Sequence, residues 1–221
     1  PRHSVSVIIP TLNEAGKLAF ALERATESAP MEIIVADGGS HDDTLRIARS
    51  YGATVVNSPT GRAHQMNAGA AIARGEAMLF LHADTLLPAN YCDAIASALR
   101  RTDVVGGAFG FKIADRITGR WLVECVTNLR SRILRMPYGD QALFVRRWAF
   151  YALGGFPSVP IMEDYEFVRR LDRLGRIAIL KDPVLTSGRR WNRFGLLRTT
   201  LINQLVILGY HCGVPLAKLA S

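Results

Sequence analysis

Four short apolar runs, each followed by a helix-forming stretch, fill residues 5–84, and this alternation restricts the fold more than any other feature. Val5–Pro10, Ile33–Ala36, Ala53–Val56 and Met78–Leu81 are too short for helices and rich in β-branched residues, so they read as buried strands. Between them Leu18, Leu22 and Ala25 keep helical spacing, Leu45 and Ala48 share a face that stops at Gly52, and Arg62–Ala73 is helical up to Gly75. Thr11-Leu12-Asn13-Glu14 has the form of a capping box, and Ser40-x-x-Asp43 caps the next helix. Strands of this kind, separated by helices, belong in a mostly parallel α/β sheet covered on both faces. Right-handed crossovers make it doubly wound. Ligands bind beyond the carboxyl ends of such strands. Pro10-Thr11, Asp37-Gly38 and His82-Ala83-Asp84 stand at those ends and are expected to share one edge.

After Asp84 the pattern loosens. Helices are expected over Ala89–Arg100, Trp121–Leu134, Glu163–Leu174 and Leu196–Leu208. A half-buried strand is expected over Val105–Phe111, and further strands over Ala142–Val145 and Ile177–Leu180. No internal repeat divides the chain, so residues 1–221 are read as a single domain. Residues 1–99 carry a charge of −3 and residues 100–221 a charge of +11. A basic half suits nucleic acid, anionic lipid or a phosphorylated small molecule. No helix-turn-helix, zinc-finger or RNA-binding signature is present, so nucleic acid is not expected as a partner. Cys92, Cys125 and Cys212 lack metal-ligand or disulfide spacing and read as reduced thiols of a cytoplasmic protein. No signal peptide is visible, and the start at Pro1 points to a trimmed upstream residue. Residues 196–221 are too short and interrupted to span a bilayer. They leave open packing on the core, a peripheral membrane contact or a homodimer contact.

The strings VSVIIPTLNE (5–14), EIIVADGGSHDDT (32–44) and GRAHQMNAGAAIARGEAMLFLHADT (61–85), followed by GGF (154–156) and MED (162–164), run through most of the chain in order. Together they resemble family 2 glycosyltransferases of the GT-A fold. HAD and YGDQ (138–141) are similar to a short soluble bacterial subgroup associated with arsenosugar biosynthesis. The resemblance implies a GT-A domain whose residues 1–99 hold a nucleotide-sugar donor and whose residues 100–221 hold a hydroxyl-bearing acceptor. It implies an inverting enzyme that needs Mn²⁺ or Mg²⁺, with a UDP-linked donor as the default.

The residue chemistry agrees. Asp37 can accept a hydrogen bond from a base N–H. The resemblance carries base and ribose binding to Pro10, Thr11, Glu14 and Asp37, with Gly38 and Gly39 permitting the turn. Thr11, Glu14, Ser40 and Asp43 read equally as helix caps. Arg62, Gln65 and Asn67 surround a helix start where a diphosphate or base is met. At the Asp-x-Asp position the first acid is His82, which leaves Asp84 as the metal ligand. His82 either adds an imidazole ligand favouring Mn²⁺ or is a packed strand-end histidine. Asp164, with Glu163 as alternate, is the candidate base that takes the acceptor proton. Asp140 and Gln141 face the acceptor or form a turn. Ser187-Gly188-Arg189-Arg190-Trp191 resembles the Gln-x-x-Arg-Trp motif of processive synthases with Ser187 replacing Gln. It puts Arg190 near the diphosphate and makes Trp191 a sugar platform or a buried structural side chain. Two other functions fit the sheet: a sugar-phosphate nucleotidyltransferase and a non-catalytic nucleotide-sugar-binding protein. No Gly-x-Gly-x-x-Gly follows the first strand, which argues against a dinucleotide dehydrogenase.

Overall fold

The structure, a computed structural model, describes residues 4–115, 117–189 and 195–219. Eight strands form one sheet in the order β3-β2-β1-β4-β7-β6-β8-β5. They are β1 (Val5–Thr11), β2 (Glu32–Asp37), β3 (Thr54–Asn57), β4 (Ala77–Phe80), β5 (Thr85–Leu86), β6 (Val104–Ile113), β7 (Leu143–Arg146) and β8 (Arg176–Thr186). Strands β1 to β4 pair in parallel, as the alternation predicts. β7 runs against both β4 and β6, and β5 runs against β8.

Alternating side chains of β1 send the two faces to different helices. Val5, Val7 and Ile9 pack with Leu18 and Leu22 of α1 (Ala15–Thr26), Ala48 of α2 (Thr44–Ser50) and Tyr91 and Ile95 of α4 (Tyr91–Leu99). Ile8 faces Met66 and Ala70 of α3 (Arg62–Ile72), Phe150 of α6 (Arg147–Ala152) and Phe167 of α7 (Glu163–Leu174). Further helices among the described residues are α5 (Arg120–Leu134), α8 (Leu196–His211) and α9 (Leu216–Leu219). Among the described residues, no helix is long and apolar enough to cross a membrane.

Several local expectations are corrected. Thr11 is the last residue of β1, not a helix cap, and α1 begins at Ala15 without a side-chain cap of its own. Ser40 likewise does not cap α2; Asp43 holds the N-cap position while its carboxylate pairs with Arg46. β5 and α6 have no counterpart in the expected pattern, because two residues and one and a half turns carry no periodicity. β8 extends to Thr186 through Lys181-Asp182-Pro183, with a register shift beside Pro183. A bulge is where a strand tolerates proline. β6 is buried on both faces rather than one.

Gly107 permits that burial. A Cβ there would overlap the Ala178 carbonyl oxygen and the Phe144 ring. Gly107→Ala is expected to cost ~3 kcal/mol, since overpacking against backbone has little room to relax. Urea denaturation reads the loss directly, and an unchanged midpoint would contradict the β6–β8 register.

Candidate active site

The carboxyl ends of β1 and β2 are in register, with Thr11 opposite Asp37. Asp37 is buried, and both its oxygens are engaged. Oδ2 accepts from the Gly39 and Ser40 amides at 2.9 and 2.8 Å; Oδ1 accepts from the Thr11 and Ser40 hydroxyls at 3.1 and 2.5 Å. Burial works to raise its carboxyl, but the bonds from Ser40, Gly39 and Thr11 outweigh it and hold the group below the usual carboxylate range. A carboxylate offers about four lone-pair positions, and here all are used within the chain. Asp37 therefore shapes the turn from beneath.

The two loops beside it cap each other. The Asn13, Glu14 and Ala15 amides that open α1 donate to Ser40 Oγ, Thr44 Oγ1 and Asp42 Oδ2 of the next loop, and the His41 amide donates back to Asn13 Oδ1. Orphan amides at a helix start need such partners. Gln65 is another tie: its Nε2 donates to the Thr11 and Ala36 carbonyls at 2.6 and 3.1 Å. Gly38 packs against the Gln65 side chain, and Gly39 takes a left-handed φ of 98°. Asn67 exchanges two hydrogen bonds with the Phe156 backbone and so holds the GGF loop. Gln141 is fully buried, bonded to Ser131, Phe109 and Tyr138. Asp37, Asn67 and Gln141 are supports, not lining residues.

A cleft of about 1050 Å³ opens above these ties. Pro10, Thr11, Glu14, Arg62, Gln65, Asp84, Asp140, Glu163 and Asp164 all line it. The Arg190 and Trp191 expectations lie outside the described residues.

Asp84 follows β4 at the cleft floor. Its Oδ2 lies 3.9 Å from Lys17 Nζ and 3.4 Å from an Arg189 guanidinium nitrogen. Arg189 also reaches Glu14 Oε1 at 3.1 Å. The route by which Arg189 arrives is the β5–β8 pairing: Thr85 lies opposite Thr186, and the Ser187 amide donates to the Asp84 carbonyl. Lys17 donates to Ser187 Oγ at 3.0 Å.

Asp164 occupies the first turn of α7. Its Oδ2 accepts from the Gly139 amide at 2.6 Å and its Oδ1 from the Tyr165 amide at 2.8 Å. Gly139 packs tightly here: a Cβ would stand 3.0 Å from Asp164 Oδ2 and 3.1 Å from His82 Nε2, so both side chains would have to give by a few tenths of an ångström. Gly139 thus brings the histidine and the carboxylate to one spot. Met162, just before α7, is left-handed with φ of 64°. Such backbone strain concentrates at functional sites. Glu163 is buried and accepts from Arg62 at 3.2 Å. Burial first, and then Asp164 beside it, push the Glu163 carboxyl up, while Arg62 pulls it down. His82 is pushed down to about 3 by burial and then by Arg62. Its ring is neutral near pH 7 and keeps a free lone pair.

Asp84 alone is a thin donor set. No group of three or more His, Cys, Asp or Glu able to hold a metal occurs among the described residues. The site fits a hard cation that takes most ligands from a bound diphosphate. That two cationic side chains already gather at Asp84 marks the place as one that favours positive charge.

Lys17 reaches the site without having been singled out in the sequence, and Tyr138, Gly139 and Arg189, which stood in quoted motifs without a role of their own, line or frame it. A signal for Lys17 exists: a lysine in the first turn opposes the helix dipole, so another anion must favour it.

Residues 6–153 match the description of glycosyl transferase family 2. Over 211 residues the chain is 27% identical to the PGL/p-HBAD biosynthesis glycosyltransferase of Mycobacterium tuberculosis, covering 90% of this chain and 80% of that relative. It is similar in fold to Staphylococcus aureus TarS 1-349 in complex with UDP-GlcNAc, with a TM-score of 0.68 and 21% identity over 83% of this chain and 58% of that one. It is also similar to the mannosyltransferase PcManGT from Pyrobaculum calidifontis in complex with GDP-Man and Mn²⁺. There the TM-score is 0.65 and the identity 26%, over 85% of this chain and 57% of that one. The chain spans less than two thirds of these two solved chains.

Proposed function

The chain belongs to glycosyl transferase family 2, and from that premise we propose an inverting, metal-dependent transfer of a sugar from a nucleotide diphosphate to a hydroxyl acceptor. The observation that carries the reading is the convergence of Asp84 and Asp164, from separate segments, on one cleft. In this reading residues 1–99 and 100–221 work as one GT-A domain, the first holding the nucleotide and the second the acceptor.

Asp164 takes the acceptor proton as the hydroxyl oxygen bonds to the anomeric carbon. The bond from that carbon to the diphosphate breaks on the opposite side, which inverts the centre. Gly139 and the Tyr165 amide hold the carboxylate while leaving each oxygen a further lone pair. Arg62, Lys17 and Arg189 supply positive charge around the departing diphosphate. Asp84 is the residue that would hold Mn²⁺ or Mg²⁺, an ion that neutralises charge building on the leaving group. Thr11 and Glu14 bound the nucleoside end. The Mn²⁺ and the nucleotide sugars bound in the structural neighbours support the same assignment. UDP is the default nucleotide.

Ile202, Val206 and Ile207 line the wall contributed by α8, which favours an acceptor hydroxyl on an apolar body. The arsenosugar resemblance implies a small polar acceptor instead, so an acceptor panel containing both classes separates them.

A calorimetric panel of UDP, GDP, CDP and TDP, with and without Mn²⁺, tests the donor. One nucleotide is expected to bind at least about tenfold tighter with the ion, and a thermal shift of the protein should follow. No binding by any nucleotide in Mn²⁺ would end the proposal. Pyrophosphate release from a nucleoside triphosphate would identify a nucleotidyltransferase. Binding without turnover across the acceptor panel would identify a non-catalytic binder.

A further inference from the structure

Helix α5 is mounted with its polar side inward. Asn128 bonds both the amide and the carbonyl of Phe111, at 2.8 and 2.9 Å, and Glu124 Oε1 accepts from the Ile113 amide at 3.0 Å. Arg120 donates to the Ile113 and Asp115 carbonyls, and Ser131 to Gln141. These side chains stand in for a strand along the part of β6 that β7 does not reach. The only buried residue of α5 is Ser131.

The opposite face consequently carries the apolar residues. Leu122, Val126, Leu129 and Ile133 follow the spacing of one helical stripe and are all exposed, Ile133 by 67%, and Trp121 stands exposed to one side of it. An ordinary surface helix has the reverse arrangement. At the C-terminal end of this stripe lies a hollow of about 360 Å³ lined by Arg101, Arg132, Arg135 and Arg176. Arg101 is paired with Asp103, at 2.9 Å. Asp103 also feels Arg176. Arg132 and Arg135 are exposed and in no ion pair among the described residues.

The geometry points to α5 as the surface by which this protein lies on an anionic lipid bilayer, with the Leu122–Ile133 stripe in the acyl boundary, Trp121 beside it, and the arginine hollow against a phosphate headgroup. An apolar helix face with Trp and flanking arginines is the composition of an interfacial helix. The +11 charge of residues 100–221 has the sign that a phospholipid surface attracts. A second copy of the chain suits the face less well. A two-fold contact would add a second copy's positive charge to this basic half instead of offsetting it. The stripe reaches the cleft through Arg130, which stacks on the Tyr138 ring 3.5 Å from its centroid; Tyr138 lines the cleft. This inference does not depend on the reaction.

Flotation of the full chain with vesicles is the test. Vesicles containing roughly 30% phosphatidylglycerol should retain the protein about tenfold or more over pure phosphatidylcholine, and added salt should erase the difference. The Leu129→Asp/Ile133→Asp pair should lower retention about tenfold or more, and Arg132→Gln/Arg135→Gln should remove the preference for anionic lipid. All four side chains are exposed, so an unchanged thermal midpoint is the control for folding. No retention by either vesicle, or retention indifferent to the Asp pair, overturns the inference. So does a dimer in sedimentation equilibrium that the Asp pair dissociates, since the face then belongs to a second copy. Nucleotide affinity is measured in parallel, so a failure here is told apart from a failure of the proposed reaction.

Discussion

Asp164→Asn is expected to lower turnover by roughly 10²–10⁴-fold while leaving nucleotide affinity within about twofold. The replacement keeps shape and removes the proton acceptor. The amide oxygen can still accept from the Gly139 N–H, which keeps the 2.6 Å contact that fixes the loop, while the bond from the Tyr165 N–H is lost to the new NH2 group. The loss must therefore fall on kcat. Glu163 cannot easily substitute, because it is buried and held by Arg62. Glu163→Gln should give the smaller loss of the two. Steady-state kinetics with saturating donor and acceptor decide the matter, and an Asp164→Asn enzyme with near-normal kcat would remove Asp164 from the reaction.

The second large effect is expected from Asp84→Ala. Transfer should fall about a hundredfold or more, equivalent to several kcal/mol of lost charge stabilisation. The sharper reading is in binding. Mn²⁺ should tighten the nucleotide for the natural chain and do nothing for the variant. In the described state Asp84 is already neutralised by Lys17 and Arg189. Those cations remain in the variant, and Arg189 keeps Glu14. Metal-independent nucleotide binding should thus persist or strengthen. Equal Mn²⁺ enhancement in both proteins would place the ion elsewhere.

The parallel half of the sheet was readable because each of its strands has its own apolar run and its own following helix. The convergence of Pro10, Thr11 and Asp84 on one cleft follows from that pattern alone. What the pattern could not contain is pairing between short or irregular pieces. β5 is two residues long, yet it carries the contact that delivers Arg189 to Asp84. The Thr11 and Ser40 caps were misplaced for a related reason: each loop is capped by the other, at distances in sequence no local rule covers. Asp37 is the instructive site residue. Its position at a strand end was legible, but its four internal hydrogen bonds, which hold the turn, were not. α5 was legible as a helix, while its inverted mounting depends on the stretch of β6 beyond its short pairing with β7, which no local pattern contains.

The mutual capping of residues 13–15 by residues 40–44 bears on how this chain can be recombined with its relatives. A crossover placed between α1 and β2 would take the donors from one parent and the acceptors from the other. Grafts that exchange residues 11–15 and 40–44 as a matched set preserve the fit, whereas exchange of either alone leaves backbone amides stranded beside Glu14 at the cleft.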